Sequence, residues 1–453
     1  MAENLHYIRL TQKALRKVSA QSVWGILVVF LAVAQASNYY VSALTGNDYN
    51  TGRTPSTPLY SINAASRQTR PGDTVFVMNG TYRTWDADTL HTVVTIATSG
   101  SPEHWIVFKN YKNHKPIISF KGWSGVRLEN SASYIEINGF TIRGNNRYVV
   151  LNNALNQPHS CRNPKPDNEP YIAQYNGTGI STDGRKSQHS HHLRILNNCI
   201  YDCGESGISL IQADYITIEK NRIFNNCWYS VFGGSGISLG QLWNYDDNKT
   251  NYHNFIINNT CFGNRLYVPV SSDCAITDGN GIIVDDSKNT QCHSAIGAYY
   301  GRTLIAHNIV FNNGGSGIHS FLSEHVDIIN NTAYKNQQSP EINHGEIYAF
   351  RSNDVTIYNN ILFAENAKAI NAEWDNKNVV YDYNIYWNGG KVVTPGKHSM
   401  FIDPLFKTPT KDAAKADFHL KPASPAIGKG LSYAALEKLK MINPSKTTIG
   451  AYQ

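Results

Sequence analysis

An asparagine returns at nearly constant intervals through the second half of the chain, at Asn198, Asn221, Asn259, Asn308, Asn331, Asn360 and Asn384. Each opens the same pattern: Asn, any residue, a small or apolar residue, then an aromatic. The aromatics are Tyr201, Phe224, Phe262, Phe311, Tyr334, Phe363 and Trp387. The intervals are 23, 23 and 24 residues, with 29, 38 and 49 where something is inserted. A period in the low twenties built from strand-forming residues implies a solenoid in which each repeat is one turn of backbone. Asn tolerates the left-handed turn conformation, and its amide can bond the Asn one turn away. The expected fold is all-β, a single-stranded right-handed parallel β-helix.

A solenoid grows in one dimension, so 453 residues need not share one compact core. Charged residues make up only 16%, against 34 Gly and 27 Tyr, which suits turn-rich and strand-rich architecture. Residues 1–36 read as a signal peptide: Arg9, Lys13, Arg16 and Lys17 precede the apolar run from Trp24 to Val33, and Ala34-Gln35-Ala36 offers a cleavage site. A membrane anchor is the alternative, but the run is short for a span. A secreted or periplasmic monomer is expected. The leader holds four basic residues and one acid, so the remainder carries a net charge of +3. That mild excess suits an anionic polysaccharide as partner and is too small to imply nucleic acid. The seven cysteines leave at least one without an intrachain partner.

Residues 37–130 read as an N-terminal cap and first turns, with a short cap helix within Ser61–Arg70 to cover the open strand edge. Regular turns run over 131–400, and 401–453 forms a closing segment. Each turn carries a second strand aligned on an inward isoleucine: Ile180, Ile208, Ile237, Ile282, Ile318, Ile347 and Ile370, preceded by Gly in the first five. Alternation then gives one outward row of Ser181, Ser209, Ser238, Ile283, His319, Tyr348 and Asn371. A second outward row holds Asp183, Ile211, Gly240, Asp285, Phe321, Phe350 and Glu373. Neighbouring turns lie about 4.8 Å apart, so His319 falls roughly one step from Asp285.

The two longest intervals are consecutive. Their extra length lies in loops 240–253, 265–278 and 286–302, which flank the turn carrying Asp285 and Asp286. Solenoids lengthen loops to wall a site. Trp243, Tyr245 and Tyr299, with Gln241, are the candidate sugar-binding residues; the plainer reading is that these aromatics pack the loops onto the coil. Asp278, Asp285 and Asp286, joined by Asp247 from the preceding loop, concentrate like charge, and calcium with its six to eight oxygen ligands would offset it. The plainer reading has Asp278 bonding its own turn and the Asp pair ending a strand. Arg351, Lys288, Arg302 and His319 are the cations or bases near this acidic turn.

With ladder, cap and tail in hand, the chain resembles the right-handed β-helix proteins of the pectate lyase-like superfamily over most of residues 38–453. The opening YYVSALTGNDYNTGRTPSTPLYSI and RPGDTVFVMNGTY resemble the entry of polysaccharide lyases of families six and nine. The tail DPLF, DFHL, SPAIGKG and IGAYQ is similar to their closing segment. The resemblance implies β-elimination on a uronic-acid glycan: calcium or polar groups neutralise the uronate, and a Lys or Arg removes the C5 proton. Arg351, Lys288 or Arg302 would be that base, and His319 the alternative. Of the family-nine segment that holds the base lysine, only Gly279-Asn280-Gly281 is matched, and no Asp-Asp-Gly-Trp-Asp occurs. Inverting glycoside hydrolysis by two of the aspartates, and non-catalytic glycan binding, are the other two readings.

Overall fold

A computed structural model describes residues 36–85, 88–166, 168–291, 294–441 and 447–452. The leader reading, except for Ala36, lies outside the described residues. Residues 36–453 form one compact unit, coiled so that each turn adds one strand to each of three parallel sheets. We call these the front sheet (nine strands, Val94–Ile96 through Glu373–Trp374), the back sheet (eleven, Asn38–Val41 through Lys377–Asp382) and the side sheet (ten, Thr81–Tyr82 through Ile385–Trp387). In one turn the chain runs along the front strand Asn280–Asp285, the back strand Arg302–Ala306 and the side strand Ile309–Phe311, then re-enters the front sheet at Ile318–Phe321. No described helix is long and apolar enough to cross a membrane.

The asparagine ladder sits inside the turn between back and side sheets. Each rung's backbone N–H and side-chain amide both donate to the next rung's carbonyl oxygen, as Asn221 does to Asn259 at 2.9 and 3.0 Å. The same amide also donates to a carbonyl of the preceding turn, for Asn221 that of Ile195 at 2.8 Å. A buried polar side chain is thereby satisfied at every turn. The left-handed position is not the ladder Asn but the residue before it, which is Lys220, His307 and Tyr383 as well as Asn. The ladder therefore depends on the amide's hydrogen bonds rather than on Asn's tolerance of positive φ.

A second ladder follows five residues later: Asn226 bonds Asn264, Asn264 bonds Asn313, and Asn313 bonds Asn336, with amide contacts of 2.8–2.9 Å. It explains the glycine before the front-strand isoleucines. A Cβ at Gly236 or Gly317 would stand 2.7 or 2.8 Å from a ladder amide. Where Glu346 replaces that glycine, its carboxylate accepts from Asn336 and ends the ladder.

Ile180, Ile208, Ile237, Ile282, Ile318 and Ile347 pair in register across the front sheet and are fully buried. At the last turn the register departs by one residue from the spacing: Phe350 pairs with Trp374, not Glu373. The aromatic row from Tyr201 to Trp387 is in register on the side sheet, with Phe224 and Phe262 stacked at 4.8 Å.

The cap helix is Ile62–Ser66, opened by Ser61, whose Oγ accepts from Ala64 N at 3.1 Å. Its Ile62, Ala64 and Ala65 enter the main core. The closing segment lies along the flank of the coil. Phe406 and Phe418 cover Phe311, Tyr334 and Phe363, and the Ala451 carbonyl bonds His307 Nδ1 at 2.8 Å.

Candidate active site on the front sheet

Ser238, Ile283, His319 and Tyr348 form one outward row of the front sheet, and Gly240, Asp285, Phe321 and Phe350 the next. The strands end at Gln212, Gln241, Asp286, Leu322 and Arg351, all in left-handed backbone. That conformation turns the chain into the loop and fixes which residue is last to face outward.

Asp285 is the outward-facing, half-buried acid of this surface. Its Oδ1 accepts one neutral donor, Gln291 Nε2 at 3.1 Å. Burial of the carboxyl, followed by the charges of Asp278 and Asp286, pushes its pKa up to about 7. Asp278 stands just before the same strand, accepting from Thr277 Oγ1 at 2.8 Å and Asn280 Nδ2 at 3.0 Å. Its pKa is raised as well, first by burial, with Asp273 and Glu205 adding to it. Asn280 holds this geometry. It is buried, donates also to Ser235 Oγ at 3.2 Å, and accepts from Ser316 N at 2.8 Å. Gly233 makes room: a Cβ there would lie 2.6 Å from Asp278 Oδ2. Glu205 accepts from Ser206 Oγ at 2.7 Å and from Thr178 Oγ1.

Asp286 has a different task. It is fully buried and accepts from Thr290 N (2.8 Å), Thr290 Oγ1 (3.0 Å), Gln291 N (2.8 Å) and Gln241 Nε2 (3.2 Å). It shapes the start of loop 286–302, and Gln241 serves it. Asp247 bonds Tyr300 Oη at 3.1 Å in the loops. Among the described residues no three acids, histidines or cysteines form a group able to hold a metal ion.

His319 pairs with Ile283 rather than with Asp285, which faces Phe321. It is buried with its ring on Tyr348 at 4.1 Å, and burial, then His344, pushes its pKa down to about 3. It is therefore a neutral wall residue near pH 7. Lys288 Nζ donates to the Arg351 carbonyl at 3.2 Å, and exposed Arg351 lies 3.5 Å from Asp375. Arg302 belongs to the back sheet. It is clamped by Asp327 at 2.6 and 2.7 Å and by Asp354 at 2.7 Å, and these carboxylates hold its guanidinium in the charged form. The structure thus separates Arg302 from the acidic turn that its sequence position suggests.

Of the candidate sugar platforms, Trp243 stacks on His189 at 4.5 Å and Tyr245 on His191 at 3.9 Å. Tyr299 is buried and donates to Asp214 at 2.5 Å. Asp214 also accepts from Tyr245 N at 2.9 Å and meets His253 Nδ1 at 3.1 Å, so one buried carboxylate ties loops 240–253 and 286–302 to the coil. A platform that spacing did not single out runs along the Asp285 row: Phe321 stacks on Phe350 at 5.4 Å, and Phe350 meets Trp374 edge-on at 5.7 Å. Trp374 is 48% exposed. A further wall comes from the connection 144–177. Its Ala154 packs with Tyr229, Val231 and Val268, and Cys161 forms a disulfide with Cys274, four residues before Asp278.

No protein-family model matches the chain. It is 23% identical to the uncharacterized protein YwoF of Bacillus subtilis (strain 168), over 86% of this chain and 92% of that one. Among solved structures, pectate lyase Pel9A superposes with a TM-score of 0.56 at 17% identity, covering 92% of this chain and 96% of that one. The chain has the parallel β-helix fold that this pectate lyase also has. A rhamnogalacturonan lyase is also similar to this β-helix, with a TM-score of 0.44 at 13% identity, covering 90% of this chain and 99% of that one.

Proposed function

We propose that this β-helix is a glycan-cleaving enzyme acting on a polysaccharide laid along the front sheet, with Asp278 and Asp285 as its general acid and base. The observation that carries the reading is a pair of carboxyls, Asp278 just before and Asp285 at the end of one front strand, both with raised pKa, one reaching about 7. A carboxyl that holds its proton near neutral pH, with a second carboxyl just before the same strand, suits glycoside hydrolysis: one protonates the leaving oxygen while the other activates water. Inversion requires carboxyls about 6.5–9.5 Å apart. The aromatic stair Phe321, Phe350 and Trp374 supports the same reading, since flat apolar rings suit the C–H faces of sugars.

Elimination is the second reading, and Lys288 beside Arg351 at the strand ends is the observation that favours it. Its base must give up a proton near neutral pH, which is a harsh demand on a guanidinium. Calcium remains a proposal tied to that reading, and hydrolysis by two carboxylates needs none. Anionic sugars fit the mild positive charge. Asp285→Asn and Asp278→Asn test the proposal. Each is expected to cut turnover at least 100-fold with the melting temperature nearly unchanged. Full turnover in either variant overturns it.

A further inference from the structure

A second feature lies on the side sheet, away from the acidic strand. The closing segment covers the aromatic row from Phe311 onward, while Tyr201 and Phe224 stay half-exposed. Where the cover stops there is a cavity of about 440 Å3, lined among others by Arg222, Thr260, Phe262, Asp417, His419 and Tyr452. That volume is within the range of small-ligand sites.

Arg222 is exposed, and its guanidinium lies over Phe224 and Phe262 at 4.7 and 4.6 Å from the ring centres. Among the described residues no carboxylate is within ion-pair distance of it; its side-chain partner is the Cys199 thiol. A guanidinium packed against two rings has lost some of its rotational freedom before any ligand arrives, and its fork suits a carboxylate. On the other wall His419 Nδ1 lies 2.7 Å from Asp417 Oδ1, and the imidazole stacks on Tyr452 at 3.6 Å. Asp417 and Thr260 can bond hydroxyls, whereas a compact multiply charged anion meets Asp417 as a like charge.

We propose that this cavity is a second, non-catalytic site that binds a carboxylate-bearing sugar, the carboxylate on Arg222 and ring hydroxyls on Asp417 and Thr260. The test uses the full chain carrying Asp278→Asn and Asp285→Asn, so that ligand is not consumed. A uronate trisaccharide, its neutral counterpart and inorganic phosphate are each titrated calorimetrically. The acidic trisaccharide is expected to bind, with affinity falling at least tenfold on adding Arg222→Ala and less on adding Arg222→Lys. Equal affinity with and without Arg222→Ala overturns the site, as does equal binding of the neutral sugar or of phosphate. The readout is binding alone, so it stands or falls separately from turnover at the front sheet.

Discussion

Asn336 ends its ladder on Glu346, with its backbone N–H 3.0 Å from Oε1 and its amide 2.6 Å from Oε2. A carboxylate here takes the place of the next asparagine's carbonyl oxygen, fully buried inside the turn. Burial pushes its pKa from 4.5 up to about 7, and the Asn336 donors only partly offset this. A carboxyl whose folded pKa is raised favours the fold while protonated in both states. That contribution is present below about pH 4.5 and is lost as pH rises through 7. The loss is on the order of 3 kcal/mol at about 1.4 kcal/mol per pKa unit. Glu346→Gln is expected to match the wild type near pH 4.5 and exceed it at pH 8, measured as melting temperature against pH. The difference between the two proteins isolates this group from Asp285, which titrates in the same range.

Much of the coil is legible in residue spacing, because a ladder asparagine and a glycine–isoleucine step recur every turn. The outward rows through Tyr348 follow from that spacing alone. The last turn slips because Ile370 is buried without being the strand partner of Ile347. Asp286 and Asp285 are adjacent in sequence, yet left-handed backbone at Asp286 turns its side chain into the loop and leaves only Asp285 facing out. Arg302 is near the acids in sequence but begins a back strand, and its two carboxylate partners come from later turns. The connection 144–177 is not legible in the spacing because it precedes the first ladder asparagine, so no interval spans it. The place of Glu205 beside Gly234, Asp278 and Cys227 exists only in three dimensions.

Asp214 receives the Tyr299 hydroxyl, the Tyr245 N–H and the His253 ring, and so fastens two loops at one atom cluster. Removing it leaves several buried donors unpaired, each costing about 1–3 kcal/mol. Asp214→Ala is expected to lower stability by on the order of 3 kcal/mol. Amide exchange should accelerate first at 241–251 and 297–301. Uniform acceleration across all turns would contradict the fastening role.

The Cys161–Cys274 bridge closes a loop with a sequence separation of 113 and anchors the segment leading to Asp278. Cys161→Ser with Cys274→Ser is expected to cost about 2–4 kcal/mol. Turnover should fall more than the melting curve explains, because Asp278 loses its fixed approach. Unchanged kcat at a temperature where the variant is folded would place the bridge outside the site's support.

Trp374 is the exposed end of the aromatic stair. Trp374→Ala is expected to raise KM for long chains about tenfold, equivalent to about 1.4 kcal/mol of binding, with kcat nearly unchanged. An equal effect on short and long substrates would remove the stair from the binding track.

The proton held by Asp285 bears on the pH profile. If the group with pKa of about 7 is the acid, activity falls as pH rises through that value, because the protonated form is the competent one. Asp285→Asn should abolish that limb together with the activity. A chelator is expected to leave the profile unchanged, and restoration of lost activity by calcium would favour elimination.

The most direct measurement is product analysis on pectate, alginate, glucuronan and glycosaminoglycans, following reducing ends and ultraviolet absorbance of unsaturated uronates together, with and without chelator. Cleavage by Asp278 and Asp285 should release reducing ends without the chromophore and without loss to the chelator. An unsaturated product would contradict it and transfer the chemistry to Lys288 and Arg351.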